Sequence, residues 1–186
     1  MKDYMNAMIQ ELNSISRMAV IENATVTELL ICDYIKIIKY RWNEEEKMIA
    51  AAKEIEIIKR SCELYQKTTN QSFTYKVQEE TDVKMVFIPH YTILSVISGM
   101  LQQLRNKEGN VNLVLHVKEI NGQVMITILF EGSFPFNTYY ETMMAQNASN
   151  YESVWNSFSR WTAQFGADTW NVVNELNSFA VCVCCS

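Results

Sequence analysis

Two histidines, a cysteine-rich end and two acidic clusters are the groups in this sequence whose chemistry could go beyond packing. An imidazole titrates near neutral pH and can serve as acid, base, nucleophile or metal ligand. His116 falls in an alternating run, on the side opposite Leu113, Leu115 and Val117, and is read as facing solvent or a partner. Phosphotransfer through His116 is the sharper alternative, and no neighbour in the sequence supports it. His90 follows Pro89 on the approach to a helix and is read as structural. Cys182-Val-Cys-Cys185 puts Cys182 and Cys184 on one side of a strand, which could begin a metal site. Zinc usually needs a second pair of Cys or His as well. Cys32 and Cys62 sit instead in apolar helical stripes, where cysteine behaves as a small hydrophobe. The expectation is reduced, unliganded cysteine, no metal, and no assigned catalytic residue. Glu44–Glu46 and Glu79-Glu80 read as solvated loops.

The elements that must position these groups are arranged around residues 86–130. Ile93, Val96, Ile97, Met100, Leu101 and Leu104 recur at three- and four-residue spacing, the pattern of one buried helical face. Pro89 fixes the chain just before that helix. Val111–Ile120 and Gln123–Phe130 alternate as strands around Asn121-Gly122, a dipeptide suited to a type I′ turn because both central residues need φ > 0. Before this block, residues 3–68 hold no Gly or Pro and are helical in pattern. One helix is expected over Met5–Met18 and, after a break at Asn23–Thr27 in residues that favour turns and N-caps, a second from Val26 to Trp42. A third is expected over Met48, Ala51, Ile55, Ile58, Cys62 and Tyr65. These stripes need cover, either from dimerisation into a four-helix bundle or from packing of the third helix on the second domain.

Downstream, Ser72–Gln78 alternates as a strand and Lys84–Ile88 as a short extended run. Tyr151 to Phe165 shows an aromatic helical stripe, read as core in preference to a partner surface, with Gly166 suited to its C-cap. Asp168–Val173 and Ser178–Cys184 form a closing hairpin. The order predicts an α+β protein: a helical hairpin region over residues 1–70, then an α/β sandwich over 71–186 with helices on one face of a mixed sheet. With 48% hydrophobic and 20% charged residues, the composition is that of a soluble globular protein. A net charge of −5 argues against nucleic-acid binding, and no apolar run is long enough to span a bilayer. A cytoplasmic protein is the expectation.

Ile88-Pro89, the helix after it and the strand–Asn-Gly–strand pair resemble the ATP-binding half of sensor histidine kinases of the LytS/YesM type, a GHKL-like ATPase domain. Leu12-Asn-Ser-Ile15, Ile37-Ile-Lys-Tyr-Arg-Trp42 and Lys53-Glu-Ile-Glu-Ile-Ile58 extend the resemblance to the helical region. It implies the same α+β fold: a hairpin that dimerises as a four-helix bundle, followed by the GHKL-like sandwich. The family's chemical residues fail position by position. Its phosphoacceptor His falls on Asn6, which has no imidazole nitrogen, and residues 1–89 contain no His in any register. Its Glu-Asn pair falls on Ser98-Gly99 and its Lys-His pair on Gln102-Gln103. The Mg²⁺-binding Asn is thus Gly99, with no side-chain oxygen for a hard cation. The adenine-reading Asp falls on Phe130, and the two Gly of that turn on Gly132 and Phe134. The Gly-rich lid corresponds to Ala145–Asn150.

The resemblance therefore implies a non-catalytic, pseudokinase-like member of two-component signalling with no cofactor. Its site would be filled by Phe130 and Phe134, and it would act as a homodimer or by binding a response regulator or a true kinase. Two alternatives stay open on the same fold: a phosphotransferase, and a protein that binds a nucleotide or small ligand without turnover.

Overall fold

A computed structural model of the chain describes residues 2–43, 48–105, 107–120, 123–134, 170–175 and 178–185. They belong to two compact units, Met1–Glu45 and Glu46–Ser186.

The first unit is a pair of helices, α1 (Lys2–Ile21) and α2 (Thr25–Arg41). Asn23 takes φ 56 in the turn. The Ala24 N–H donates to the Ala19 carbonyl at 2.8 Å and the Asn23 N–H to that of Val20 at 3.1 Å. This is a Schellman cap, and Asn suits its left-handed position because a short polar side chain tolerates φ > 0. The break expected at Asn23 is therefore real, but the N-cap of α2 is Ala24, which offers no side-chain cap, although Asn23 and Thr25 flank it. Ile9, Ile35 and Ile38 form the buried centre, with Met5, Met8, Leu12, Ile31 and Trp42 packed around it. Ile15, Met18, Val26 and Leu29 remain uncovered, each 50% exposed or more.

The second unit begins with β1 (Met48–Ala50), α3 (Ala51–Thr68), β2 (Ser72–Glu79), β3 (Phe87–Pro89) and α4 (Thr92–Leu104). It continues with β4 (Asn110–Ile120), β5 (Gln123–Gly132), β6 (Trp170–Glu175) and β7 (Ser178–Cys185). One expectation is corrected here. Met48 does not open the third helix: β1 pairs antiparallel with β3, and the helix starts at Ala51, whose N–H donates to the Val86 carbonyl at 2.8 Å. The strand pairing satisfies backbone groups that one more helical turn would also have satisfied, and Ile49 is buried in it.

The division between the two compact units falls between Glu45 and Glu46 in the chain. Ala51, Ile55, Ile58 and Cys62 on α3 are buried within the second unit, where α3 packs on α4 and β2. The Tyr65 ring meets Phe73 edge-on with centroids 5.0 Å apart, and the Gln66 side chain donates to the Phe73 carbonyl at 3.1 Å. Lys59 and Glu79 close the other end at 2.7 Å. Of the two covers open to the third helix, the second domain provides the one observed.

The main sheet is five-stranded, in the order β2-β4-β5-β7-β6. β2 pairs parallel with β4, which demands a crossover, and the chain makes it through β3 and α4. The other neighbours are antiparallel. Val111, Leu113, Leu115 and Val117 on β4 and Val124, Ile126, Ile128 and Phe130 on β5 are buried. They alternate with half-buried Asn112, Val114, His116, Lys118, Met125, Thr127 and Leu129 on the opposite face. β4 and β5 pair through to Ile120↔Gln123, as a two-residue connection requires; Asn121-Gly122 itself lies outside the described residues. The expected closing hairpin is present as β6 and β7. The helix expected over residues 151–165 and the lid segment 145–150 lie outside the described residues. The α+β class with helices and a mixed sheet stands as expected.

Candidate functional site

α4 carries the positions at which the nucleotide chemistry of the resembled family would fall. Its buried stripe includes Ile93, Ile97, Met100 and Leu104, all fully buried. Ser98, Gly99 and Gln103 are half-buried and Gln102 is exposed. Three hydrogen bonds hold the start of this helix. The Thr92 hydroxyl donates to the Pro89 carbonyl at 2.7 Å, and the Ser95 hydroxyl to the Thr92 carbonyl at 2.7 Å. The Glu54 carboxylate, on α3, accepts the Leu94 N–H at 2.7 Å. Tyr91 before it has φ 65, a left-handed conformation that costs a non-glycine residue energy.

Glu54 was not singled out by sequence. It is 0% exposed. A carboxylate satisfies an orphan N–H in the first turn of α4 and is favoured there by the positive end of the helix dipole. The signal was faint: a Glu one residue before Ile55 in an otherwise apolar stripe.

At the end of β5, Phe130 is 0% exposed and Phe134 is 5% exposed. A Cβ at Gly109 would come within 2.9 Å of the Phe134 ring, so that ring lies flush against the chain before β4. Gly132 is required by the ladder itself. A Cβ there would collide with the backbone carbonyl of Asn110, which accepts the Ser133 N–H at 3.1 Å. The Ser133 hydroxyl also pairs with the Asn110 side chain. Phosphate binding is thus not needed to explain this glycine. Glu131 beside it is exposed and within 3.3 Å of the Asn112 amide.

The remaining candidates are dispersed. Asn6 is exposed on α1, in the first unit. His90 is half-buried, its ring centroid 6.3 Å from that of Tyr91. His116 stands on the less buried face of the sheet as expected, and its Nε2 is 2.7 Å from Glu80 Oε1. Sequence reasoning missed that carboxylate, because only the parallel register Gln78↔His116 brings the end of β2 beside β4. Cys62 is fully buried, and burial, reinforced by Glu63, pushes its thiol up to about 12, so it stays protonated and inert. Tyr75 donates to Glu63 at 3.2 Å and is likewise pushed up to about 12, first by burial and then by Glu63. Among the described residues no group of His, Cys, Asp and Glu could hold a metal ion, and no helix is long and apolar enough to cross a membrane.

No family model matches the chain, and no curated protein matches it. Among solved structures it is similar to the histidine kinase domain of the blue-light activated histidine kinase EL346 from Erythrobacter litoralis, at 14% identity and a TM-score of 0.48. That match covers 98% of this chain and 91% of the other. It is also similar to the catalytic domain of histidine kinase ThkA, at 11% identity and a TM-score of 0.46, over 74% of this chain and 92% of that one. A bacterial phosphotransferase is similar at 8% identity and a TM-score of 0.44, over 96% of this chain and 87% of that chain. Likenesses of this degree say nothing about which residues do chemistry.

Proposed function

We propose that this chain is a non-catalytic histidine-kinase-like protein that works by protein binding in two-component signalling. The observation that carries the reading is Phe130, fully buried where a nucleotide-reading carboxylate would fall in the resembled family. A phenyl ring in the core offers neither a hydrogen-bond acceptor for an adenine amino group nor room for one. Ser98-Gly99 and Gln102-Gln103 on α4 supply no carboxylate, lysine or histidine, and Asn6 on α1 has no nitrogen that could form a phosphoramidate. The uncovered Ile15, Met18, Val26 and Leu29 on the helical hairpin would be buried by a second copy in a four-helix bundle. A response regulator or an active kinase is the partner class this reading implies.

The test is calorimetric titration of the full chain with Mg-ATP and Mg-ADP, beside light scattering for mass. Silence to about millimolar nucleotide, a binding free energy weaker than about −4 kcal/mol, together with a dimer mass is expected. Micromolar binding would overturn the reading of Phe130. A monomer mass would overturn the role given to the hairpin.

A further inference from the structure

We propose that the outer edge of β2 is a docking site for an extended strand of another protein, one that carries a carboxylate opposite Lys76. β2 is the end strand of the five-stranded sheet and pairs there with β4 alone. In a parallel pair, alternate residues turn both backbone groups to the neighbouring strand, and those between turn theirs away. Two hydrogen bonds fix which are which. Just past the last paired residues, Glu79 and Val117, the Glu80 N–H donates to the Val117 carbonyl at 2.8 Å. Thr74, Lys76 and Gln78, in step with Glu80, therefore face β4. The Phe73 carbonyl is taken from outside the ladder by the Gln66 side chain at 3.1 Å, so Phe73, Tyr75 and Val77 face away. Among the described residues, no hydrogen bond reaches the backbone N–H or C=O of Tyr75 or Val77.

What fits such an edge is another backbone. Tyr75 and Val77 each present a donor and an acceptor, and the two sets stand about 6.8 Å apart, the repeat of an extended chain. An antiparallel strand exchanges both bonds with each of them. It leaves Lys76 in a non-hydrogen-bonded pair, where facing side chains stand closest. Lys76 is exposed, and no carboxylate among the described residues pairs with it. A lysine on an open edge discourages indiscriminate pairing, so the charge selects the occupant. In the registers of greatest overlap, a second copy would set Lys76 opposite Lys76, Thr74 or Gln78, none of them a carboxylate. A partner strand with Asp or Glu at that point answers both the backbone and the charge. The proposal rests on the protein-binding reading above and gives it a surface. Its test uses neither nucleotide nor the helical hairpin, so the two fail separately.

The probe is the end-blocked peptide Thr-Val-Thr-Val-Glu-Val-Thr-Val-Thr, titrated into the isotope-labelled full chain. Binding tighter than about 1 mM is expected. Solvent exchange should slow at the Tyr75 and Val77 amides, more than at Lys76, whose N–H already faces β4. The same peptide N-methylated at the two valines beside its glutamate loses the donors for this edge and should not bind. Lys76→Glu changes only an exposed side chain and should weaken binding by at least about threefold, and a lysine in place of the peptide's glutamate should restore it. No binding at that concentration, binding without protection of the two amides, equal binding of the N-methylated peptide, or unchanged affinity in Lys76→Glu would overturn the proposal. Protection of both amides in the free chain, lost on dilution, would overturn it in favour of a second copy.

Discussion

Replacing Glu54 tests whether a buried carboxylate on α3 holds the helix that carries the candidate site. Glu54 is fully buried and accepts the Leu94 N–H at 2.7 Å. In Glu54→Ala that donor loses its acceptor where water does not reach, at about 1–3 kcal/mol. The lost buried methylene adds about 0.8 kcal/mol. The expected destabilisation is about 3 kcal/mol in all, before any cavity term. Glu54→Gln keeps an acceptor oxygen and the stem and gives up the charge facing the helix dipole, so about 1 kcal/mol is expected. Glu56→Ala is the control: Glu56 is exposed and pairs with Arg60 at 2.8 Å one turn along, which contributes about 0.3–0.5 kcal/mol. With a urea slope of about 2 kcal/mol/M, Glu54→Ala should lower the unfolding midpoint by about 1.5 M and Glu56→Ala by about 0.2 M. The Leu94 amide should exchange faster with solvent in Glu54→Ala and unchanged in Glu56→Ala. Equal midpoints for the two alanine variants would refute the reasoning, as would a Glu54→Gln effect as large as that of Glu54→Ala.

Two further outcomes follow from burial and from close backbone approach. Cys62 is pushed from 9.0 to about 12 in the folded chain, so the unfolded chain alone releases that proton above pH 9. Stability should fall as pH rises between these values, by up to about 1.4 kcal/mol per pH unit from this thiol. Cys62→Ala should flatten that part of a denaturation series, and an unchanged slope would count against the assignment. Gly132→Ala forces a Cβ against the Asn110 carbonyl, which is backbone and cannot give way. About 1–3 kcal/mol of lost stability is expected, and a urea midpoint equal to that of the unmodified chain would contradict it.

α4 and the β4–β5 pair were legible because their periodicity is clean. Ile93, Ile97, Met100 and Leu104 stay on one stripe, and the odd positions of β4 stay on one face. A periodic stripe reports that a face is buried, not what buries it. This is why α3 could be recognised as amphipathic while its cover, α4 and β2, could not be read from it. Met48 continued the helical spacing by coincidence, and a strand as short as Met48–Ala50 leaves too few residues to signal its own period. At the candidate site, the expectations for Asn6, Gly99 and Phe130 came from residue type at positions set by the family resemblance. Glu54 and Glu80 were not legible, because each acts on a partner far along the chain: Leu94 for the first, His116 for the second.

The strand order has a consequence for synthesis on the ribosome. β5 ends at Gly132, but its outer neighbour β7 starts only at Ser178, after the whole intervening stretch has been translated. Until then β5 is an edge strand with bare N–H and C=O groups and the apolar series Val124, Ile126, Ile128 and Phe130 along one side. Such an edge is a template for pairing with another chain. The nascent protein therefore passes through an interval of exposure to aggregation that the finished sheet conceals, and slowed translation beyond Gly132 should lengthen it.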